Sequence, residues 1–322
     1  MLQVAFIREN RETVLKGLAK RNFKNAEEMV DKTILADEER RAIQTELDAI
    51  LAESNKLSKD IGDLFKSGET QKAAILKQKT IQLKDRSKEL SENLQQKSTD
   101  LQELLYLIPN IPNEIVPAGT SAEDNLNIFQ EGEIPKLHEG AMPHWELAKK
   151  YDIIDFELGN KIAGAGFPVY KGKGAKLQRA LINYFLDKNT AAGYKEVQVP
   201  HLVNEASGYG TGQLPDKEGQ MYHVGIDHLY LIPTAEVPVT NLYRDVILKE
   251  EELPIKNVAY TPCFRREAGS YGAHVRGLNR LHQFDKIEIV QIVHPENSYA
   301  TLEEMVAHVK SLLEKLNIPY RI

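Results

Sequence analysis

Apolar positions recur at steps of four and three through the first third of the chain. One series is Ile43, Leu47, Ile50, Ser54, Leu57, Ile61 and Leu64. A second is Leu76, Thr80, Leu83, Ser87, Leu90, Leu94, Lys97, Leu101, Leu104 and Ile108. A seam sustained at that period predicts two long helices in a coiled coil. Between them, Phe65-Lys66-Ser67-Gly68-Glu69-Thr70 is a short turn, so the helices fold back as an antiparallel hairpin. At about 1.5 Å per residue each helix runs roughly 50 Å or more and must project as an arm. Thr80, Ser87 and Lys97 interrupt the seam, lowering its stability and helping to fix register.

The pattern changes at Pro109. Residues 26–108 hold no proline and only the glycines Gly62 and Gly68, whereas proline and glycine recur afterwards among aromatic and β-branched runs. Ile108-Pro109-Asn110-Ile111-Pro112-Asn113 stops a helix and opens an extended linker, which divides the chain into domains 1–110 and 111–322. In the second domain, periodicity predicts amphipathic helices over 175–190 and 301–316 and a helix beginning near Thr234. It predicts strands over 196–199, 258–267 and 282–293, and two short extended runs within 222–231. Strands without regular βαβ repeats suit an α+β domain on an antiparallel sheet.

Charge refines the picture. With 41 Lys and Arg against 47 Asp and Glu, the net charge of −6 excludes a uniformly basic nucleic-acid coat but leaves room for a local patch. Toward the arm's tip lie Lys56, Lys59, Lys66, Lys72, Lys77, Lys79, Lys84 and Arg86, against Asp60, Asp63, Glu69 and Asp85. Asp37, Glu38, Glu39, Glu46 and Asp48 gather nearer the base. That asymmetry suits either a solvated coiled-coil face or a probe that meets a phosphate backbone. Cys263 is the single cysteine, so no internal disulfide forms and a cytoplasmic setting is expected. Neither a signal peptide nor a membrane span is expected. The nine histidines lack a cysteine partner or a paired helical spacing, and no metal site is expected from them.

The segment richest in chemistry is Thr261-Pro262-Cys263-Phe264-Arg265-Arg266-Glu267-Ala268-Gly269-Ser270-Tyr271-Gly272. On a continuous strand Cys263, Arg265 and Glu267 share a side. Arg265 can fork onto a phosphate and Glu267 can accept from an amine. In Leu281-His282-Gln283-Phe284-Asp285-Lys286-Ile287-Glu288, alternation puts His282, Phe284, Lys286 and Glu288 on one face. Burying such a face costs too much without a ligand. An aromatic ring beside a guanidinium and a carboxylate suits a purine nucleotide; the plain alternative is an exposed hairpin with surface ion pairs. Gly164-Ala165-Gly166 and Gly172-Lys173-Gly174 read as turns, since neither fits a phosphate-binding loop. Cys263 reads as a packing residue rather than a nucleophile.

Phe264-Arg265-Arg266-Glu267, a variable loop and His282-Gln283-Phe284-Asp285-Lys286-Ile287-Glu288 together resemble motif 2 of class II aminoacyl-tRNA synthetases. The loop from Ala268 to Leu278, with Pro233-Thr234-Ala235-Glu236 and Gly210-Thr211-Gly212-Gln213-Leu214-Pro215, is similar to the seryl branch. The helix from Ala175 with Val197-Gln198-Val199-Pro200 looks like the dimer-forming motif 1. The resemblance implies a bacterial-type serine–tRNA ligase working on ATP with Mg²⁺, a homodimer, and an arm that grips tRNA(Ser), and selenocysteine tRNA where present. It implies that Arg265, Arg266, Glu267, Leu281, His282, Gln283 and Phe284 bind ATP, with Phe284 on the adenine, Arg265 on the α-phosphate and Glu267 by the adenine or its amine. The resemblance implies that Arg265 and Glu267 are the catalytic pair. Thr234, Ala235, Glu236, Arg265 and Glu288 would take serine, Glu288 by its ammonium or its hydroxyl. Lys56, Lys59, Lys66, Lys72, Lys77 and Lys79 would take tRNA.

The family continues past Ile318-Pro319-Tyr320-Arg321-Ile322 with motif 3, which brings a second ATP arginine, further serine-pocket residues and central strands. The expected catalytic domain is therefore incomplete at its C-terminus. Either an inactive fragment of the synthetase or a non-catalytic tRNA-binding paralogue stands as the alternative.

Overall fold

A computed structural model describes residues 1–267 and 276–322. The loop residues 268–275, which carry part of the seryl resemblance, lie outside them. The chain forms two compact units, residues 1–126 and 127–322.

The first unit opens with α1 (Val4–Glu9) and α2 (Arg11–Lys20), followed by the long helices α3 (Ala26–Lys66) and α4 (Thr70–Leu107). The turn sits where the heptads stop, and Gly68 there adopts φ +80°, a left-handed conformation that glycine takes without a Cβ penalty. The hydrophobic core gathers at the hairpin's base, where Ile7, Val14 and Leu18 pack on Val30, Leu101, Leu105 and Ile108. Ile111 closes that core over Gly17, whose missing Cβ would stand 2.5 Å from the Ile111 Cβ. One fully buried carboxylate joins α1 to α3: Asp37 takes Arg8 at 2.5 Å and Arg40 at 2.8 Å. Two guanidiniums on one buried carboxylate satisfy the charge that burial would otherwise penalise.

Away from the base the seam buries few side chains, among them Leu47, Leu57, Ala73 and Leu90. Cross-helix ion pairs supplement it. Glu39 meets Lys97 at 2.5 Å, Glu46 meets Arg86 at 2.7 Å and Glu53 meets Lys79 at 2.6 Å. The three acids are one heptad apart, so each faces α4 at the same place on its turn. Lys97, an interruption in the apolar series, thus keeps its ammonium at the seam's margin.

The second unit begins with β1 (Gln130–Glu131), α5 (His144–Lys150), β2 (Ile154–Asp155), α6 (Phe156–Ala163), β3 (Val169–Tyr170) and α7 (Lys173–Ala191). It continues with β4 (Lys195–Glu196), β5 (Leu202–Val203), α8 (Glu205–Gly210), β6 (His223–Val224), β7 (Leu229–Leu231) and α9 (Glu236–Asn241). Last come β8 (Ile255–Phe264), β9 (Gln283–Ile292), α10 (Ser298–Lys315) and β10 (Tyr320–Arg321). Among the described residues the largest pairing is the antiparallel β8–β9 ladder, in register from Ile255–Ile292 to Phe264–Gln283. β4 joins β8 in parallel, so this sheet, ordered β4-β8-β9, is mixed rather than purely antiparallel. A second sheet has the order β5-β7-β6.

Three local expectations change. The strand expected over 196–199 is confined to Lys195–Glu196, although the Val197 N–H still reaches the Val258 carbonyl at 2.9 Å. The strand expected to reach residue 267 ends at Phe264, and Glu267 turns to φ +47°. Cys263, Arg265 and Glu267 therefore do not share one pleated face. The helix expected from Thr234 starts at Glu236, with the Thr234 hydroxyl accepting the Glu236 N–H at 3.3 Å. On the sheet's far side, α10 locks to α7 through His308 Nε2 and Asn189 Oδ1, 2.8 Å apart. Asn189 donates its amide to the Phe185 carbonyl, which leaves its oxygen to accept from the imidazole.

Candidate active site

The site stands on one face of the β8–β9 ladder. Residues directly opposite each other in an antiparallel ladder share a face. The register pairs Cys263 with Phe284, Thr261 with Lys286 and Ala259 with Glu288. The β8 partners are small and fully buried. They make a floor on which the three large β9 side chains lie in a row. Burial pushes the Cys263 thiol up, which keeps it protonated and fits a floor residue rather than a nucleophile.

At one end, the Arg265 guanidinium lies 5.2 Å from the centre of the Phe284 ring. The Arg265 N–H donates to the His282 carbonyl at 2.9 Å, and its Nε donates to the Pro233 carbonyl at 3.3 Å. Among the described residues both Nη groups have no protein partner, so the arginine is held by its neck with its fork unused. Pro233 precedes Thr234, so this bond also ties the two ends of the site together.

At the other end Thr234 is 3% exposed, and its hydroxyl donates to Glu288 Oε2 at 2.7 Å. Lys286 Nζ donates to the same hydroxyl at 3.0 Å and forms an ion pair with the same Glu288 oxygen. The hydroxyl thus uses its donor and both acceptor positions, which fixes its direction. Ala235 is fully buried beneath, in a cluster with Val199, Val239 and Ala259. The second bond accepted by the Thr234 hydroxyl is from the Glu236 N–H, while the Glu236 side chain is exposed and takes no part in this network.

The remaining expected residues border the Phe284 end. His282 stacks on Phe167 with ring centres 5.4 Å apart, and its Nδ1 lies 2.7 Å from the Tyr222 hydroxyl. The His282 N–H donates to the Gly166 carbonyl at 2.9 Å. Gly166 has φ +84°, and a Cβ there would stand 2.3 Å from the His282 ring. Glu267 pairs with Arg280 at 2.6 Å, and Arg266 donates to the Gly219 carbonyl at 3.2 Å. Leu281 is buried and Gln283 is exposed. From Arg276 onward two contacts hold the described chain. Arg276 lies over Trp145 at 5.2 Å, and the Leu278 N–H donates to His144 Nε2 at 2.8 Å.

Sequence reasoning placed Phe284, Glu288, Arg265 and Thr234, and the structure brings all four together. It missed Phe167, Gly166, Tyr222 and the Pro233 carbonyl, all distant in sequence from the site strands. The available signals were the Gly164-Ala165-Gly166 turn and the Pro233-Thr234-Ala235-Glu236 segment, whose partners cannot be read from the chain. Of the arm lysines, Lys66 pairs with Asp63 at 3.4 Å, Lys72 with Glu69, and Lys79 with Glu53. Lys56, Lys59 and Lys77 have no ion-pair partner among the described residues. The donor sets give no metal cage, since no described group of three or more His, Cys, Asp or Glu could hold an ion.

The family model described as seryl-tRNA synthetase N-terminal domain matches residues 1–112. That described as tRNA synthetase class II core domain (G, H, P, S and T) matches residues 222–322. Over 100% of the chain, the serine–tRNA ligase of Salinibacter ruber is 44% identical and that of Akkermansia muciniphila 46% identical, with 75% of each relative covered. Among solved structures, the seryl-tRNA synthetase of Pyrococcus horikoshii complexed with ATP aligns at TM-score 0.86 and 30% identity, covering 100% of this chain and 76% of that one. The cytoplasmic serine–tRNA ligase of Naegleria fowleri in complex with AMP aligns at TM-score 0.80 and 25% identity, covering 100% and 77%. With a long antiparallel helical hairpin, a strand pair carrying Arg265, Phe284 and Glu288 on one side, and relatives of this identity along its whole length, the chain belongs to the seryl-tRNA synthetase family.

Proposed function

We propose that this site activates L-serine with ATP and that the seryl group then passes to tRNA(Ser), and to selenocysteine tRNA where the cell has one. The observation that carries the reading is the order of groups along one strand face. Phe284 and Arg265 make an end suited to a base and a phosphate, and Thr234 and Glu288 make an end suited to an ammonium and a hydroxyl. Four residue steps along the strand, about 13 Å, take Phe284 to Glu288, so the two ligands meet between them.

Little acid–base chemistry is required. The serine carboxylate is already ionised at neutral pH. One of its oxygens attacks the α-phosphorus in line, a new P–O bond forms, and the bond to pyrophosphate breaks. The rate then comes from positioning and charge neutralisation. Arg265, tethered through Nε, offers its free fork to the α-phosphate. Its plane and the Phe284 ring provide an aromatic and cationic surface for the adenine. Glu267, His282 and Gln283 border the nucleotide, with Arg266 and Leu281 framing them. Glu288 and Thr234, seated on Ala235, take the serine end, and Glu236 stands at its mouth. A half-buried carboxylate left short of a hydroxyl partner would discriminate against alanine. Among the described residues no donor set fits a resident metal. Mg²⁺ is read as arriving on the phosphates with its own waters, as this ion does where proteins supply few ligands.

The arm is read as the tRNA grip, through the lysines toward its tip. The groove of about 420 Å³ beside α7, lined by Gln178, Arg179, Glu196, Gln198 and Tyr260, belongs to the segment resembling motif 1 and is read as part of a homodimer contact. No helix among the described residues is long and apolar enough to cross a membrane, and a cytoplasmic setting suits the substrates.

The test is Arg265→Ala. Serine-dependent ATP–pyrophosphate exchange is expected to fall at least a hundredfold, about 2.7 kcal/mol of transition-state stabilisation, while tRNA affinity is unchanged. Loss of exchange and tRNA binding together would remove Arg265 from the phosphate.

A further inference from the structure

Lys286 sits where the proposed substrate's own ammonium belongs. Its Nζ donates to Thr234 Oγ1 at 3.0 Å and pairs with Glu288 Oε2, the two groups that the reading above assigns to serine. The third side of this triangle, Thr234 Oγ1 to Glu288 Oε2, is 2.7 Å. A hydroxyl and a carboxylate converging on one ammonium form an ammonium receptor, and here it is already filled from within the chain.

Two physical points follow. With the Glu288 side chain only 19% exposed beside buried Thr234, an empty pocket without Lys286 would hold a largely desolvated carboxylate with no counter-charge. The lysine therefore supplies the counter-charge and keeps the receptor aligned before substrate arrives. An α-amino acid also carries its ammonium and carboxylate on one carbon. Any such ligand whose ammonium displaces that of Lys286 brings a carboxylate beside the displaced one. The lysine has a flexible four-carbon stem and a side chain 34% exposed, so it has room to move.

We propose that Lys286 is a built-in stand-in for the substrate ammonium: it fills the Thr234–Glu288 receptor when the site is empty, yields to the incoming amine, and then pairs with the carboxylate of the same ligand. The inference rests on the serine reading of the site. It makes Lys286 a selector for α-amino acids over simple amines, a role beyond holding the fold.

Calorimetry of L-serine and L-serinamide, which lacks the carboxylate, tests this on the full chain in wild-type, Lys286→Met and Lys286→Arg forms. Wild type is expected to prefer serine. In Lys286→Met the ratio of serine to serinamide affinity is expected to fall at least tenfold, with serinamide bound as tightly as by wild type or more tightly because its competitor is gone. Lys286→Arg is expected to restore much of the preference, which a change in packing alone would not do. An unchanged ratio overturns the proposal, as does equal loss of both ligands, which would make Lys286 a fixed tether for Glu288. Wild type that binds neither ligand overturns the serine reading and the proposal with it. Wild type that binds serine while the ratio stays fixed overturns the proposal alone.

Discussion

Gly166 shows how a single atom's absence shapes the site. Its φ of +84° and the 2.3 Å between a notional Cβ and the His282 ring leave room for hydrogen only. Gly166→Ala is expected to cost about 2 kcal/mol through overpacking and to raise the KM for ATP, because the clash displaces His282. A denaturant midpoint and a KM both equal to wild type would show that the loop yields. The alternation along β9 made Phe284, Lys286 and Glu288 legible as one face, because a paired strand of ten residues keeps its period. The same reasoning failed at Glu267. The chain leaves the ladder after Phe264, and a positive φ breaks the alternation that placed Glu267 beside Arg265. Tyr222 and Phe167 were out of reach, since their contacts with His282 come from loops whose course no local pattern encodes.

Among the elements, the hairpin was the most legible, because its heptads are local and its turn carries Gly68. Which of its lysines remain available was not legible. That depends on register across the hairpin, which commits Lys79 to Glu53 on the other helix. Lys56, Lys59 and Lys77 keep their charges uncommitted among the described residues. Their triple change to alanine is expected to weaken tRNA binding and to reduce the slope of log affinity against log salt by as much as about 3. The matching triple at Lys66, Lys72 and Lys79 is expected to do less, because part of each charge is already met by an acid. Equal effects would mean that the ion pairs open in the complex. The strand after α7 was overread, since Pro200 and the parallel partner β8 leave only Lys195–Glu196 in the ladder.

At the scale of the molecule, the helical and sheet units answer to different forces and can be disturbed separately. In the sheet unit, burial holds His308 below the ordinary imidazole range, helped by Lys315 and Lys256 and opposed by Glu304. A folded pKa below the unfolded one means that the unfolded chain takes up the proton first as pH falls. The stability from neutral His308 is therefore complete above about pH 6.5 and lost as pH drops through the folded value. Thermal midpoints of this unit are expected to fall below pH 6.5 more steeply in wild type than in His308→Asn. Parallel slopes would assign the acid sensitivity elsewhere. The division into an arm and a sheet unit was plain in the proline-free stretch before Pro109, whereas the packing of α10 on α7 through Asn189 and His308 depended on partners 119 positions apart.

The account's central claim is that one face of β9 receives a nucleotide at Phe284 and serine at Glu288. ATP–pyrophosphate exchange by the wild-type chain, run with each of the common amino acids in turn, tests it most directly. Exchange driven by serine and by no other amino acid is the predicted result. Exchange led by a different amino acid, or none at all from folded protein, would contradict it.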